Sequence, residues 1–184
     1  MADAVMMALG GSHLELGDHM LSREYFPASP LAMTEELRTA MIRYYDFMTA
    51  YQNLLRGTST QAEFQSGLAC ADASKKVSVA AWPPKRGNVT TYARKVGNAD
   101  VIHLLNFRNI DNLSWRDLNG TRTAPRLTLD LPLTVDYPTK VNRIWTASPD
   151  YHGGAVVELP FTQTDGKVTF TLPSLKYWAM IVIE

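Results

Sequence analysis

The sequence predicts a mixed fold, in which the final β-α unit of a (β/α)8 barrel is followed by an antiparallel β-sandwich. A short apolar run at residues 4–9 ends at Gly10-Gly11, and an amphipathic helical pattern follows after a long connection. That order is typical of one barrel unit. From about Lys76 the apolar residues change from helical spacing to alternation, which indicates strands. We therefore divide the chain into a barrel fragment at residues 1–75 and a sandwich at residues 76–184.

The first predicted element is a strand at residues 4–9. Every residue of this run is apolar, and Gly10-Gly11 closes it. A continuous apolar run bounded by a turn is typical of a strand that is buried on both faces. The connection that follows, residues 10–33, mixes Gly, Pro and Ser with large apolar side chains. Long connections in compact domains are often functional, so we expect an ordered, functional loop.

The second predicted element is a helix over residues 34–56. Thr34 suits the N-cap, and two glutamates follow it in the first turn, where the helix dipole favours acidic side chains. Gly57 is a typical helix stop. One face of the helix is apolar and consists of Leu37, Met41, Tyr44, Tyr45, Met48, Tyr51 and Leu55.

Eight short strands separated by turn residues predict the sandwich. Alternation of apolar and polar residues is clearest at residues 127–135 and 168–172. Asp165-Gly166 indicates a hairpin turn before the second of these strands, and Pro132 breaks the first or places it at a sheet edge. The other strands are expected at residues 77–81, 90–95, 101–107, 141–147, 155–161 and 177–183.

The composition excludes several classes of function. The chain has 184 residues, of which 46% are apolar and 20% charged, as in ordinary globular proteins. Lys+Arg and Asp+Glu number 18 each, and this balance argues against nucleic acid or an anionic membrane as the main partner. The sequence contains no apolar run of membrane-spanning length. The single cysteine, Cys70, excludes an internal disulfide.

The densest group of polar and titratable side chains lies in the connection after the first predicted strand. We predict that this loop lines a substrate site, where its polar groups bind sugar hydroxyls. The residues concerned are Ser12, His13, Glu15, Asp18 and His19. The loop would follow a barrel strand, and barrel enzymes place their substrate sites at that end of the strands.

Three other interpretations of this loop stay open. A metal would be bound by His13, Glu15 and His19, but their spacing does not match a helical H-E-x-x-H pair and Gly17 interrupts any helix. A glycosidase acid pair would use Glu15 and Asp18, although barrel enzymes usually draw catalytic groups from several strand ends. In the third interpretation, the charged groups only cap helix ends and bond to the backbone. Nothing in the sequence implies a cofactor.

The aromatic and histidine side chains outside the loop divide into core and surface candidates. We expect Trp145 and Trp178 to be buried, and His103 to be a satisfied core histidine, because all three lie in predicted apolar strands. Trp82 and Trp115 are flanked by proline or polar residues and are the candidates for exposed, sugar-stacking side chains.

Several motifs resemble one known family. Near the start they are Gly10-Gly11-Ser12-His13, Glu15-Leu16-Gly17-Asp18-His19-Met20-Leu21, Glu24-Tyr25-Phe26-Pro27, Tyr44-Tyr45-Asp46-Phe47 and Ala50-Tyr51-Gln52-Asn53-Leu54-Leu55-Arg56. Further on they are His103-Leu104-Leu105-Asn106-Phe107, Trp115-Arg116-Asp117 and Pro173-Ser174-Leu175-Lys176-Tyr177-Trp178. Together they resemble the dextranase family of glycoside hydrolases, family 66, which also includes cycloisomaltooligosaccharide glucanotransferases. The resemblance covers nearly the whole chain.

The resemblance implies a secreted bacterial enzyme that acts on α-1,6-linked glucan with retention of configuration. It also implies an N-terminal β-domain, a (β/α)8 barrel and a C-terminal β-sandwich. The family's nucleophile Asp and acid/base Glu lie on earlier barrel strands, and no position here matches their motifs, so no catalytic residue is carried over. Ala179 stands where relatives are expected to have an acidic residue, a departure that concerns the β-domain and not catalysis.

Two function classes follow. In the first, the chain is the C-terminal part of a dextranase-type enzyme, inactive alone, whose ligand is an α-glucan oligosaccharide or polysaccharide. Residues 1–56 would then be covered by the missing N-terminal part of the enzyme, by a homo-oligomer mate or by an alternative packing on the sandwich, because an exposed apolar edge invites association. The alternative is a non-catalytic carbohydrate-binding or scaffold module.

Overall fold

The computed structural model describes residues 1–14, 33–61, 67–114 and 121–184. The helices of the described chain are α1 (Ala2–Ala8), α2 (Glu35–Ala50) and α3 (Gln52–Arg56), and two short 3-10 turns lie at Ala73–Lys75 and His152–Gly154. The strands are β1 (Ser59–Gln61), β2 (Ala69–Cys70), β3 (Val79–Ala81), β4 (Val89–Val96), β5 (Ala99–Asn106), β6 (Thr128–Asp136), β7 (Ile144–Ala147), β8 (Val157–Glu158), β9 (Phe161–Thr164), β10 (Lys167–Leu175) and β11 (Trp178–Ile183).

Two sheets form a β-sandwich. The first has the order β1-β4-β5-β11-β7-β8, with β3 beside β4, and the second has the order β2-β6-β10-β9. All pairs are antiparallel except β3 with β4, which are parallel. The predicted sandwich is therefore confirmed. β1 and β2 join its sheets before residue 76, and the division of the chain at that position stays a prediction.

The strand expected at residues 4–9 is wrong, because this segment is helix α1. Alanine and methionine are good helix formers, and the buried residues Ala4, Met7 and Ala8 have the spacing of one helical face. An apolar run this short carries no period that separates a buried strand from a buried helix. Gly10 has a φ of 84°, so the predicted turn does follow. Residues 1–14 therefore contain no barrel strand, and the described residues contain no final barrel unit.

The helix predicted at residues 34–56 is confirmed as α2 followed by α3. The hydroxyl of Thr34 accepts a hydrogen bond from the amide of Leu37 at 3.2 Å, as expected of an N-cap. The helical path is interrupted once, at Tyr51. A Cβ atom at Gly57 would collide with the carbonyl oxygen of Asn53, which explains why the chain leaves the helix at a glycine.

Of two sequence predictions for the strands, one is confirmed and one is wrong. Asp165 and Gly166 connect β9 to β10 with φ values of 51° and 72°, and two positive φ values are typical of the type I′ hairpin turn. The break or sheet edge predicted at Pro132 is wrong, because β6 runs through this residue and lies between β2 and β10. β10 pairs with Pro132 on one side, and on the other side the amide of Ala71, just beyond β2, donates a hydrogen bond to the carbonyl oxygen of Pro132 at 2.9 Å.

The apolar interior has two parts. The inter-sheet core lies between the two sheets and includes Leu133 and Phe170. The helix–sheet layer lies between the helices and the other face of the first sheet, and includes Met7, Phe47 and Trp178. Helix α1 contacts β5 and β11, so the described part of residues 1–56 is packed on the sandwich, one of the three coverings expected. Within the described ranges, no helix combines the length and apolar content that crossing a bilayer requires.

Candidate functional site

The candidate site is a cleft between the helices and the turn that joins β10 to β11. The N-terminal half of α2 forms one wall, and the turns at residues 149–150 and 176–177 form the other. Its polar lining includes Asp3, Glu36, Arg43, Asp150, Lys176 and Tyr177.

Asp150 binds groups from both walls of the cleft. Its carboxylate accepts hydrogen bonds from the hydroxyl of Tyr44 at 3.1 and 3.2 Å, from the amide of Tyr177 at 3.0 Å and from the amide of Trp178 at 3.1 Å. Its own amide donates to the hydroxyl of Ser148 at 3.1 Å. One carboxylate therefore joins α2 to the start of β11, and charge-assisted bonds of this kind are stronger than neutral ones.

Burial shifts the pKa of the titratable groups around Asp150. The pKa of Asp150 is raised by burial, which outweighs the opposing effect of the amides of Trp178 and Tyr177. Burial and the nearby charge of Asp150 raise the pKa of Tyr44 well above its usual value. The pKa of Tyr177 is raised by burial and by the charges of Asp150 and Glu36. A tyrosine hydroxyl with its ordinary pKa is already protonated at neutral pH, and these shifts extend that range to higher pH, so both hydroxyls can donate.

The open side of the cleft combines an aromatic ring with charged groups. The ammonium group of Lys176 lies 5.6 Å from the ring centre of Tyr177 and 3.8 Å from a carboxylate oxygen of Glu36. Arg43 is exposed and lines the same space from α2. The arrangement offers hydrogen-bond donors, an acceptor and a half-buried aromatic surface within one concave site, which is the usual character of a small-ligand site.

The residues predicted to bind substrate are only partly described. Ser12 is exposed, and Nδ1 of His13 lies 2.5 Å from a carboxylate oxygen of Asp3, which lines the cleft. Glu15, Asp18 and His19 lie outside the described residues. Substrate binding by these five side chains therefore stays a prediction. The described residues contain no group of three His, Cys, Asp or Glu side chains that could hold a metal ion.

The expectations for the tryptophans and His103 are largely confirmed. Trp145 and Trp178 are buried, with exposed fractions of 6% and 0%, whereas Trp82 is 38% exposed. Trp115 lies outside the described residues. His103 is fully buried, and its Nδ1 accepts a hydrogen bond from the indole of Trp178 at 3.1 Å. It is not fully satisfied, however, because its Nε2 has no partner in the described structure.

Local sequence patterns do not reveal the cleft. Helical periodicity predicts Tyr44 as a core residue, and Tyr177 belongs to a family motif without an assigned role. Asp150 carried no signal of its own. The available signal was that two motifs distant in sequence, around Tyr44 and around Tyr177, belong to one family pattern. Residues that share such a pattern can meet in space, as these two do around Asp150.

Comparisons with known proteins agree on one family. The model of glycosyl hydrolase family 66 matches residues 1–182. Two cycloisomaltooligosaccharide glucanotransferases of Niallia circulans are 36% and 33% identical over the whole chain, which spans 19% of each. A dextranase of Streptococcus salivarius is 23% identical over the whole chain, which spans 25% of its length.

A solved structure gives the same result. The crystal structure of a Paenibacillus sp. cycloisomaltooligosaccharide glucanotransferase complexed with cycloisomaltoheptaose matches 98% of this chain at 29% identity, with a TM-score of 0.84. The match covers 26% of that structure's chain, so this chain spans between a fifth and about a quarter of the relatives it matches. The family match extends through the helices as well as the sandwich, and we conclude that the chain belongs to glycosyl hydrolase family 66.

Proposed function

We propose that this chain is the C-terminal portion of a dextranase-type retaining glycoside hydrolase that acts on α-1,6-glucan. The observation that carries the proposal is the family match over residues 1–182, together with relatives named as dextranase and as cycloisomaltooligosaccharide glucanotransferase. The activity belongs to the whole enzyme, because this chain spans only 19–25% of those relatives.

The catalytic carboxyl groups would lie outside this chain. A retaining mechanism requires two carboxyl groups about 5–5.5 Å apart, one to attack the anomeric carbon and one to protonate the leaving oxygen. The carboxylates of Asp100 and Asp150 do not form such a pair, because each is bonded to other groups of the fold. The hydroxyl of Tyr137 donates to Asp100 at 2.5 Å, and Lys95 lies 3.4 Å from the same carboxylate. Asp150 binds Tyr44 and two amides. Because no position of the sequence matches the family's nucleophile and acid/base motifs either, the isolated chain is expected to be inactive.

The parent enzyme would supply the remaining parts. Its catalytic barrel would lie N-terminal to the sandwich and contribute the nucleophile and the acid. Ser12, His13, Glu15, Asp18 and His19 would bind sugar near the site of cleavage. As the family resemblance implies, the parent enzyme would be bacterial and secreted.

Comparison of the parent enzyme with the 184-residue chain tests this proposal. We expect the parent to release reducing sugar from dextran and the purified chain to release none. NMR of the first product should show the α-anomer, because retention preserves the configuration of the substrate. Sugar release by the chain alone, lost in Glu15→Gln or Asp18→Asn, would contradict the assignment of catalysis to other residues.

One observation favours a second candidate function, that of a carbohydrate-binding module without turnover. Trp82 is 38% exposed, and aromatic side chains on a surface can stack against sugar rings. In this case the chain would be retained on immobilised dextran, and Trp82→Ala would abolish the retention. Val156→Ala, at another exposed apolar residue, is the matched control and should leave retention unchanged.

A further inference from the structure

The charges that line the cleft nearly cancel. Four acidic and three basic side chains contribute to its lining. Lys176 and Glu36 are 3.8 Å apart, so opposite charges lie side by side in the lining. Such a lining produces little net field to attract an anion or a cation. It does place donors beside acceptors, which suits a neutral ligand with many hydroxyl groups.

Tyr177 adds an apolar surface to this polar lining. Its ring is half-buried and lines the cleft. A sugar ring presents C–H groups on its face and hydroxyls around its rim. Tyr177 offers an aromatic ring for the first feature, with the ammonium of Lys176 5.6 Å from the ring centre, and Arg43 and Glu36 in the same lining offer hydrogen-bonding groups for the second.

The position of Tyr177 is fixed by the rest of the fold. The carboxylate of Asp150 binds the amides of Tyr177 and Trp178, at 3.0 and 3.1 Å. The indole of Trp178 is fully buried, with its ring centre 4.9 Å from that of Phe47. A ligand would therefore meet a backbone that is already ordered, and little conformational entropy would be lost on binding.

From these observations we propose that the cleft binds a glucosyl unit of an α-glucan, with Tyr177 as the aromatic platform and Arg43, Lys176 and Glu36 as hydrogen-bonding groups. The identity of the sugar rests on the proposed function. The charges of the lining, the ring of Tyr177 and the ordered backbone support a binding site independently of that function. Such a site would add one sugar-binding position to the enzyme.

Calorimetric titration of the full 184-residue chain with cycloisomaltoheptaose tests the proposal. We expect binding that weakens at least about tenfold in Tyr177→Ala, since the ring is the largest apolar contact, and about threefold in Arg43→Ala. Two controls should bind like the wild type. Arg38→Ala changes an exposed residue on the same helix that is not part of the lining, and Val156→Ala changes an exposed apolar residue outside the cleft.

The salt dependence separates this site from a charged one. Because the ligand is neutral, the Kd should change less than about twofold between about 50 and 500 mM NaCl. Absence of binding by the wild-type chain, unchanged binding in Arg43→Ala, or loss of binding in Val156→Ala would each overturn the proposal. Arg43 is exposed on α2, so its variant is informative even where Tyr177→Ala does not fold. The parent enzyme's activity on dextran is measured separately, so failure here is distinct from failure of the proposed function.

Discussion

The inter-sheet core and the helix–sheet layer are held together by different kinds of contact. The inter-sheet core is a continuous set of aliphatic and aromatic side chains from both sheets. They include Ile102, Leu104, Leu131, Leu133, Val135, Val168, Phe170, Leu172, Ile181 and Ile183. The helix–sheet layer instead mixes aromatic rings with polar and titratable groups such as Asp150, His103 and Arg94.

This difference separates non-directional from directional packing. Burial of apolar area stabilises the inter-sheet core at any pH and tolerates small shifts. In the helix–sheet layer, Tyr44 and Tyr51 each donate a hydrogen bond across the interface, and Phe47 meets Trp178 edge to face at 72°. Such contacts fix one orientation of α2 on the sheet, and they depend on protonation states. The helix side is therefore the more specific and the more pH-sensitive of the two.

The largest difference between the regions should appear in a matched pair of phenylalanines. Phe170 in the inter-sheet core and Phe47 in the helix–sheet layer are both 2% exposed. We expect Phe170→Ala to cost about 3–5 kcal/mol of unfolding free energy, measured by urea titration, because it leaves a cavity between the sheets.

Phe47→Ala should act differently, as a local change. Amide hydrogen exchange should become faster in α2 while protection of β10 and β11 is retained, because helices on a surface open below the global unfolding energy. Equal exchange changes in both variants would mean that the two regions form one cooperative unit.

Asp150→Ala should be the next largest effect, at about 2–3 kcal/mol. It removes the acceptor for the Tyr44 hydroxyl and for two amides, which leaves partly buried donors without partners. Asp150→Asn is the matched control, because it keeps one acceptor oxygen and should lose less. Thermal unfolding near pH 7 measures both. Equal stability of Asp150→Ala and the wild type would show that the carboxylate does not hold α2.

His103 should make stability depend on pH. The pKa of His103 is lowered from an ordinary value near 6.5 to about 3. Burial is the main cause, and the charge of Arg94 is a smaller one. The unfolded chain therefore binds the proton more readily. The contribution of His103 to the free energy of unfolding is complete above pH 6.5 and is lost as the pH falls toward 3. The loss is about 1.4 kcal/mol per pH unit, or about 2 kcal/mol between pH 6 and 4.5.

His103→Gln isolates this effect, because glutamine can still accept from the indole of Trp178 but does not titrate. Its stability should fall less than that of the wild type between pH 6 and 4.5. The raised pKa of Asp150 has the opposite effect, because its contribution to the free energy of unfolding is lost as the pH rises. Both proteins share Asp150, so their difference reports His103. Parallel pH curves for the two proteins would mean that the imidazole is hydrated in the fold.

The sequence predicted the sandwich well because strand periodicity and turn chemistry are local. Asp165-Gly166 has the chemistry of the hairpin that it forms. The alternation pattern fails at Asp130. Leu131 and Leu133 are fully buried, but Leu129 is 56% exposed, although all three have the same period. Asp130 adopts a φ of 47°, which turns the strand so that the alternation does not continue. No local signal identifies an aspartate in that conformation.

The helix α1 and the cleft were beyond local reasoning for a different reason. A run of seven residues can be strand or helix, and only its packing on β5 and β11 decides. The cleft combines residues from α2 with residues more than a hundred positions later, as in the bond from Tyr44 to Asp150. Tyr44 looked like core in the sequence, and it is buried, but its hydroxyl has a specific partner that periodicity cannot reveal.

The smallest effect should come from a single hydroxyl at the edge of the helix–sheet layer. Tyr51 donates to the carbonyl of Gly154 at 2.7 Å, while its ring lies 4.6 Å from that of Phe47. Tyr51→Phe removes the hydrogen bond and keeps the ring, so the loss should be about 1 kcal/mol in urea titration. Tyr51→Ala, which also removes the ring, should cost clearly more. If Tyr51→Phe cost as much as Asp150→Ala, hydrogen bonds at the periphery would fix α2 as strongly as the central carboxylate. The distinction between directional and apolar packing would then need to be drawn within the layer, not between the two regions.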